Sequence, residues 1–191
     1  MPPIDSRLVG GPTLDEFTQR CADLDVRVGA VVDSDAAAAW IAGVVAELGL
    51  TEGSVAAELG ERAPDLMRGV TANGTMWHVS PSPETVRDAQ LGLSLADLAV
   101  AETGSLLLVE RTLEDRSIGM LPRNHVVVCA SDHLVASLAD SAAALRAAAL
   151  RPGGMATLVT GPSRTADIER VLTVGVQGPG RLFVLFVDNL T

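Results

Sequence analysis

The chain has 191 residues, 48% of them hydrophobic, and a formal net charge of −10. That length suits one domain with a sizeable core, and so apolar a composition excludes a disordered chain. The negative charge argues against a nucleic-acid surface and against docking on anionic lipid, and an aromatic content of 3% leaves no base-stacking platform.

All 14 basic residues are arginine, and the chain has no tyrosine. A lysine Schiff base, a P-loop lysine and a tyrosine acid are therefore excluded. Any nucleophile or proton carrier must be Asp, Glu, His, Ser, Thr or Cys. Cys21 and Cys129 form no CxxC pair, so cysteines alone hold neither an iron–sulfur cluster nor a structural zinc. Cys129, inside HVVVCA, reads as a buried free thiol, and nothing suggests a disulfide scaffold. No Gly-rich dinucleotide turn is present, so no bound cofactor is expected.

In chain order, residues 1–12 carry Pro and Gly and read as a loose arm, with a single domain over 13–191. The start has no apolar signal core, and the run AAAAWIAGVVA at 36–46 falls well short of a membrane span, so a soluble, cytoplasmic protein is expected. DVRVGAVVD at 25–33 predicts a strand. Asp33, Ser34 and Asp35 offer cap chemistry for a helix ending at Gly49. Residues 51–70 admit a short strand or helix at 54–60 and a helical turn near Pro64. Residues 71–83 read as loop, with a helix from Pro83 through VRDAQLG.

LADLAVA and SLLLVE, joined by Glu102-Thr103-Gly104, predict a hairpin or a bent strand. Residues 111–124 read as a long surface loop, and HVVVCA at 125–130 as a buried strand. Ser131 or Asp132 would cap a long Ala/Leu helix ending near Arg151. ATLVT, TADIERV and RLFVLFV (181–187) then predict strand, helix and strand. Continuous apolar strands alternating with helices imply an α/β fold with a mostly parallel sheet flanked by helices.

Four stretches carry candidate chemistry. At Gly161-Pro162-Ser163 a β-branched run stops and a helix is expected at once, with Asp167 and Glu169 inside it. Free N–H groups there suit a carboxylate or phosphate, but local features favour a plain strand-to-helix connection with Ser163 as cap. In AETGS, Glu102 interrupts apolar strands. It is either aimed into a cleft, with Thr103 offering a hydroxyl and Gly104 close approach, or it sits at a solvated hairpin tip. In MLPRNH, Arg123 can clamp a carboxylate and His125 precedes the buried strand. His78 carries no signal, and His133 reads as a lone surface histidine. In VGVQGPGRL, Gly178 and Pro179 shape a tight loop before the last strand, and Arg181 is a further cation for an anion. No HxxH-type spacing links Glu102, His125, Asp167 and Glu169, so no metal is expected.

AETGSLLL, LPRNHVVV, GPSRTADIE and GVQGPGRLFVLFVD, in this order from about residue 95 to 188, resemble the LUD domain family. Gln177 stands where that family often has His. The resemblance implies a fold like that of the ribose-phosphate isomerase, CoA-transferase and formyltetrahydrofolate cyclo-ligase group. It implies a part in oxidising L-lactate to pyruvate, as one of three proteins encoded together whose partners carry the iron–sulfur clusters. A cleft binding a small carboxylate or a partner follows from it, and a homo-oligomer is compatible with it. The alternative is a stand-alone enzyme of CoA-transferase or cyclo-ligase type with Glu102 as nucleophile, whose phosphates Arg123, Arg164 and Arg181 would have to meet.

Overall fold

The computed structural model of the chain describes residues 12–151, 155–165, 173–175 and 178–191. The first part runs α1 (Pro12–Asp23), β1 (Arg27–Asp33), α2 (Ser34–Leu48), β2 (Glu52–Val55), α3 (Ala57–Arg62), α4 (Pro64–Thr71), β3 (Met76–Val79), α5 (Pro83–Asp88) and β4 (Leu91–Leu95). Then come β5 (Leu98–Val100), β6 (Ser105–Glu110), α6 (Leu113–Met120), β7 (Asn124–Ala130), β8 (Leu134–Val135), α7 (Ala142–Ala149), β9 (Met155–Val159), β10 (Arg164–Thr165), β11 (Thr173–Val174) and β12 (Arg181–Asn189).

Six strands, all parallel, form one sheet in the order β1-β12-β7-β4-β2-β3. A second sheet, β8-β5-β6-β9, is mixed, with β6 antiparallel to both its neighbours. The expected α/β architecture with a mostly parallel sheet is therefore present. The inner strands β12, β7 and β4 are apolar on both sides because both sides are covered. Phe183, Leu185, Val126 and Val128 pack under α2, α3 and α4, against Ile41, Leu59 and Leu66. Leu182, Val184, Phe186, Val127 and Cys129 face the other way, onto Phe17 and Cys21 of α1 and Leu106 and Leu108 of the second sheet. Phe17 and Phe186 meet edge to face with centroids 5.1 Å apart. The second sheet buries its far side, Leu98, Val100 and Leu107, under Ala148 of α7.

Several expectations are corrected. A helix, α1, begins at Pro12 where the arm was expected to end; residues 1–11 lie outside the described residues. The 71–83 segment contains β3, an edge strand whose Met76 and Val79 stay exposed and so lack the pattern of a covered strand. The helix from Pro83 stops at Asp88, because Ala89 turns extended (φ −66°, ψ 139°), and LGLSL becomes the fully buried β4. The 111–124 loop contains α6, capped by Thr112 Oγ1 accepting from the Asp115 N–H at 3.1 Å. The long helix from Ser131 is interrupted: β8 pairs with β5, and α7 starts only after a turn that Ser137 and Asp140 cap reciprocally. β9 joins the second sheet rather than the parallel one. Among the described residues no helix is long and apolar enough to cross a membrane.

Candidate functional site

Register decides which end of the sheet carries the motifs. Arg181 pairs with Asn124, Asn124 with Leu91, and Arg27 with Phe183. The segments before β7 and β12 therefore meet at the N-terminal ends of the parallel strands. Arg123, Gly178 and Pro179 thus lie at the edge opposite the C-terminal one, where open α/β sheets usually bind ligands.

These segments are stitched together through backbone. The Ser163 N–H donates to the Pro179 carbonyl at 2.9 Å, and the Gly175 N–H to the Ser163 carbonyl at 2.8 Å. The Gly180 and Arg181 N–H groups both donate to the Arg123 carbonyl, at 2.9 and 3.3 Å. A Cβ on Gly178 would stand 3.1 Å from the Ser163 Cβ, so glycine is what lets the two loops touch. Gly161 has φ 84° and lies against Leu24, so that turn also requires glycine. Arg164–Thr165 form an antiparallel bridge with Thr173–Val174, and the Ser163 N–H is already donated. The expected helix, Asp167, Glu169 and Gln177 lie outside the described residues.

Two clefts open at this edge. One, of about 690 Å³, is lined by Arg27, Glu47, Pro162, Arg164, Arg181 and Phe183 among others. The other, of about 560 Å³, includes Leu121, Arg123, Asn124, Gly178 and Arg181. They share Gly180 and Arg181. The Arg27 guanidinium binds the Glu47 carboxylate in a fork, both contacts 2.6 Å, and lies 5.3 Å from the Phe183 ring centroid. The hydrogen bond from Arg27, and then the charges of Arg27 and Arg181, hold the Glu47 carboxyl below its usual range. Arg164 Nη2 donates to the Leu24 carbonyl at 2.7 Å. Arg123 and Arg181 form no side-chain hydrogen bond or ion pair among the described residues.

The AETGS hairpin reaches this region through hydroxyls. Thr103 Oγ1 donates to Ser105 Oγ at 2.7 Å, and Ser105 Oγ lies 2.7 Å from Thr160 Oγ1, next in sequence to Gly161. Gly104, at φ 65°, lets the tip press against Arg20 and Cys21 of α1. The Glu102 carboxylate is exposed. Its Oε2 accepts the Leu138 N–H at 2.9 Å, and its own N–H binds the Ala136 carbonyl at 2.9 Å. It lines neither arginine cleft.

His125 follows Arg123 and Asn124 but turns inward. It is fully buried, its Nε2 lies 3.1 Å from Ser94 Oγ, and its Nδ1 has no partner. Burial pushes its pKa down to about 4, so the ring is neutral near pH 7. Nearby, Glu110 accepts from Thr157 Oγ1 at 2.9 Å and has its pKa raised by burial. Among the described residues no cluster of three or more His, Cys, Asp or Glu is arranged to hold a metal.

The structure thus brings Gly161, Pro162, Ser163, Gly178, Pro179 and Arg123 together. It ties Thr103 and Gly104 to them indirectly, and leaves the side chains of Glu102 and His125 apart. Arg27, Glu47, Ser105 and Thr160 were not foreseen. One signal was available for Glu47: a carboxylate in the last turn of α2 opposes the helix dipole, which calls for a cationic partner.

A family model of the LUD domain matches residues 14–187. A Lactate utilization protein C of Exiguobacterium sp. is 33% identical over 122 residues, which cover 60% of this chain and 53% of that protein. One from Geobacillus kaustophilus is 31% identical over 110 residues, covering 56% of this chain and 45% of that protein. The chain spans about half the length of these relatives. Among solved structures, a DUF162 family protein from Deinococcus radiodurans aligns with a TM-score of 0.65 at 22% identity, covering 92% of this chain and 96% of that one. That likeness is one of fold.

Proposed function

This chain belongs to the LUD domain family, and from that premise we propose that it is a cytoplasmic component of an L-lactate utilisation system. In this reading it works beside iron–sulfur proteins that oxidise L-lactate to pyruvate, and it holds a small carboxylate at the arginine-lined edge. The relatives named Lactate utilization protein C supply the physiological context. One observation carries the site: Arg123 and Arg181, tied backbone to backbone, line two open clefts, and among the described residues neither side chain forms a hydrogen bond or a close ion pair. A guanidinium is a forked donor matched to a carboxylate. The sheet is further read as kin to the ribose-phosphate isomerase and CoA-transferase group, a reading its parallel six-stranded core supports.

A stand-alone acyl-transfer enzyme with Glu102 as nucleophile draws less support. That carboxylate already accepts the Leu138 N–H and lies outside both arginine clefts. The test is growth on L-lactate of a strain lacking the gene. The parent chain is expected to restore growth. A folded variant with both Arg123→Gln and Arg181→Gln is expected to fail. Full growth with the double variant would remove this edge from the function.

A further inference from the structure

We propose that the two clefts joined at Arg181 take a single ligand bearing two anionic groups, with Arg181 between them, Arg164 at one end and Arg123 at the other. The inference rests on the lactate-utilisation reading of this edge and names what the edge is shaped to hold. L-lactate is one carboxylate on a three-carbon skeleton. The larger cleft alone measures about 690 Å³ and the adjoining one about 560 Å³. Each lies within the roughly 300–1,000 Å³ of sites that enclose drug-sized ligands. A monocarboxylate of that size leaves most of this space to water.

Charge points the same way. The lining of the smaller cleft contains Arg123 and Arg181 and no acidic residue. The larger contains Arg27, Arg164 and Arg181 against Asp25 and Glu47. Glu47 is held by Arg27 in the fork described above. The Leu24 carbonyl that orients Arg164 neutralises no charge. Each cleft therefore has a second arginine besides Arg181, Arg164 in the larger and Arg123 in the smaller, in a chain whose net charge of −10 otherwise repels anions. Gly180, which lines both clefts, is bare backbone, so no side chain from it bars passage between them. Because Gly180 and Arg181 are both anchored on the Arg123 carbonyl, the arginines sit on fixed supports, which lowers the ordering cost of a two-point grip.

The test is calorimetric titration of the whole chain with L-lactate, succinate and inorganic pyrophosphate. At least one dianion is expected to bind ~10-fold or more tightly than L-lactate. Preference for succinate assigns a dicarboxylate, and preference for pyrophosphate assigns a phosphoryl ligand. Arg181→Gln is expected to weaken every ligand, whereas Arg123→Gln is expected to cost the preferred dianion at least ~10-fold more than it costs L-lactate. L-lactate binding as tightly as both dianions, no dianion binding, or an Arg123→Gln variant that weakens all three alike would overturn the proposal. Failure of the underlying reading shows separately, as normal growth on L-lactate of the double arginine variant.

Discussion

Glu102, conspicuous in the sequence, makes a backbone contact in the structure. Its position between apolar strands singled it out, and the structure gives its carboxylate the Leu138 N–H at 2.9 Å, at the first turn of a short 3-10 segment. Glu102→Gln keeps an acceptor oxygen in that place and removes only charge. The variant is expected to melt within a few degrees of the parent, a change of ~1 kcal/mol or less, and to support growth on L-lactate at the parental rate. A well-folded variant that fails to grow would return Glu102 to the chemistry. Arg181 and Arg123 were legible as anion-binding candidates from their loops alone. Their shared cleft was not, because the contact that joins them is made through the Arg123 carbonyl, and backbone hydrogen bonds leave no mark in side-chain identity.

At the level of elements, legibility followed the strength of the end signals. Helix α2 was read almost to the residue. Asp33 Oδ1 accepts the Ala36 N–H at 2.9 Å, and Gly49 closes the helix at φ 63° with its N–H on the Ala46 and Val45 carbonyls. Asp33→Ala is therefore expected to cost about 1 kcal/mol in urea denaturation, and Asp33→Ser to recover most of it. An equal loss in both variants would mean that the carboxylate matters for something other than the cap. β3 and β8 escaped notice for a physical reason. An edge strand need not be apolar on both faces, and a two-residue strand is defined by its partner across the sheet rather than by any period of its own. The helix expected to run on from Ser131 failed on the same ground: Ala-rich sequence favours helix locally, and pairing of β8 with β5 overrode it.

Across the whole molecule, buried ionisable groups set the response to pH. His125 has a pKa of about 4 in the folded chain against an ordinary 6.5, so the unfolded chain binds more protons in that window and stability rises with pH there. Glu58 behaves oppositely. Burial raises it from 4.5 to about 7, against the charge of Arg62, so its contribution is lost as pH rises through that value. The two oppose each other over roughly pH 4.5–6.5, and above about 6.5 the Glu58 loss is no longer offset by His125; Glu110, also raised by burial, acts in the same direction as Glu58. Melting temperature is expected to decline over that upper range in the parent and less in Glu58→Gln; parallel declines would rule out Glu58 as the cause. Which edge of the sheet gathers Arg123, Gly178 and Arg181 was equally a property of the whole, since it depends on strand register between distant segments. That same register has a kinetic side. In the parallel sheet β1 pairs with β12 alone, and the closure is sealed by Ser34 Oγ donating to the Thr191 carbonyl across 157 positions of sequence. Such contact order is slow to satisfy. On the ribosome, the first strand made must wait, its edge unpaired, until nearly the last residue described here has emerged.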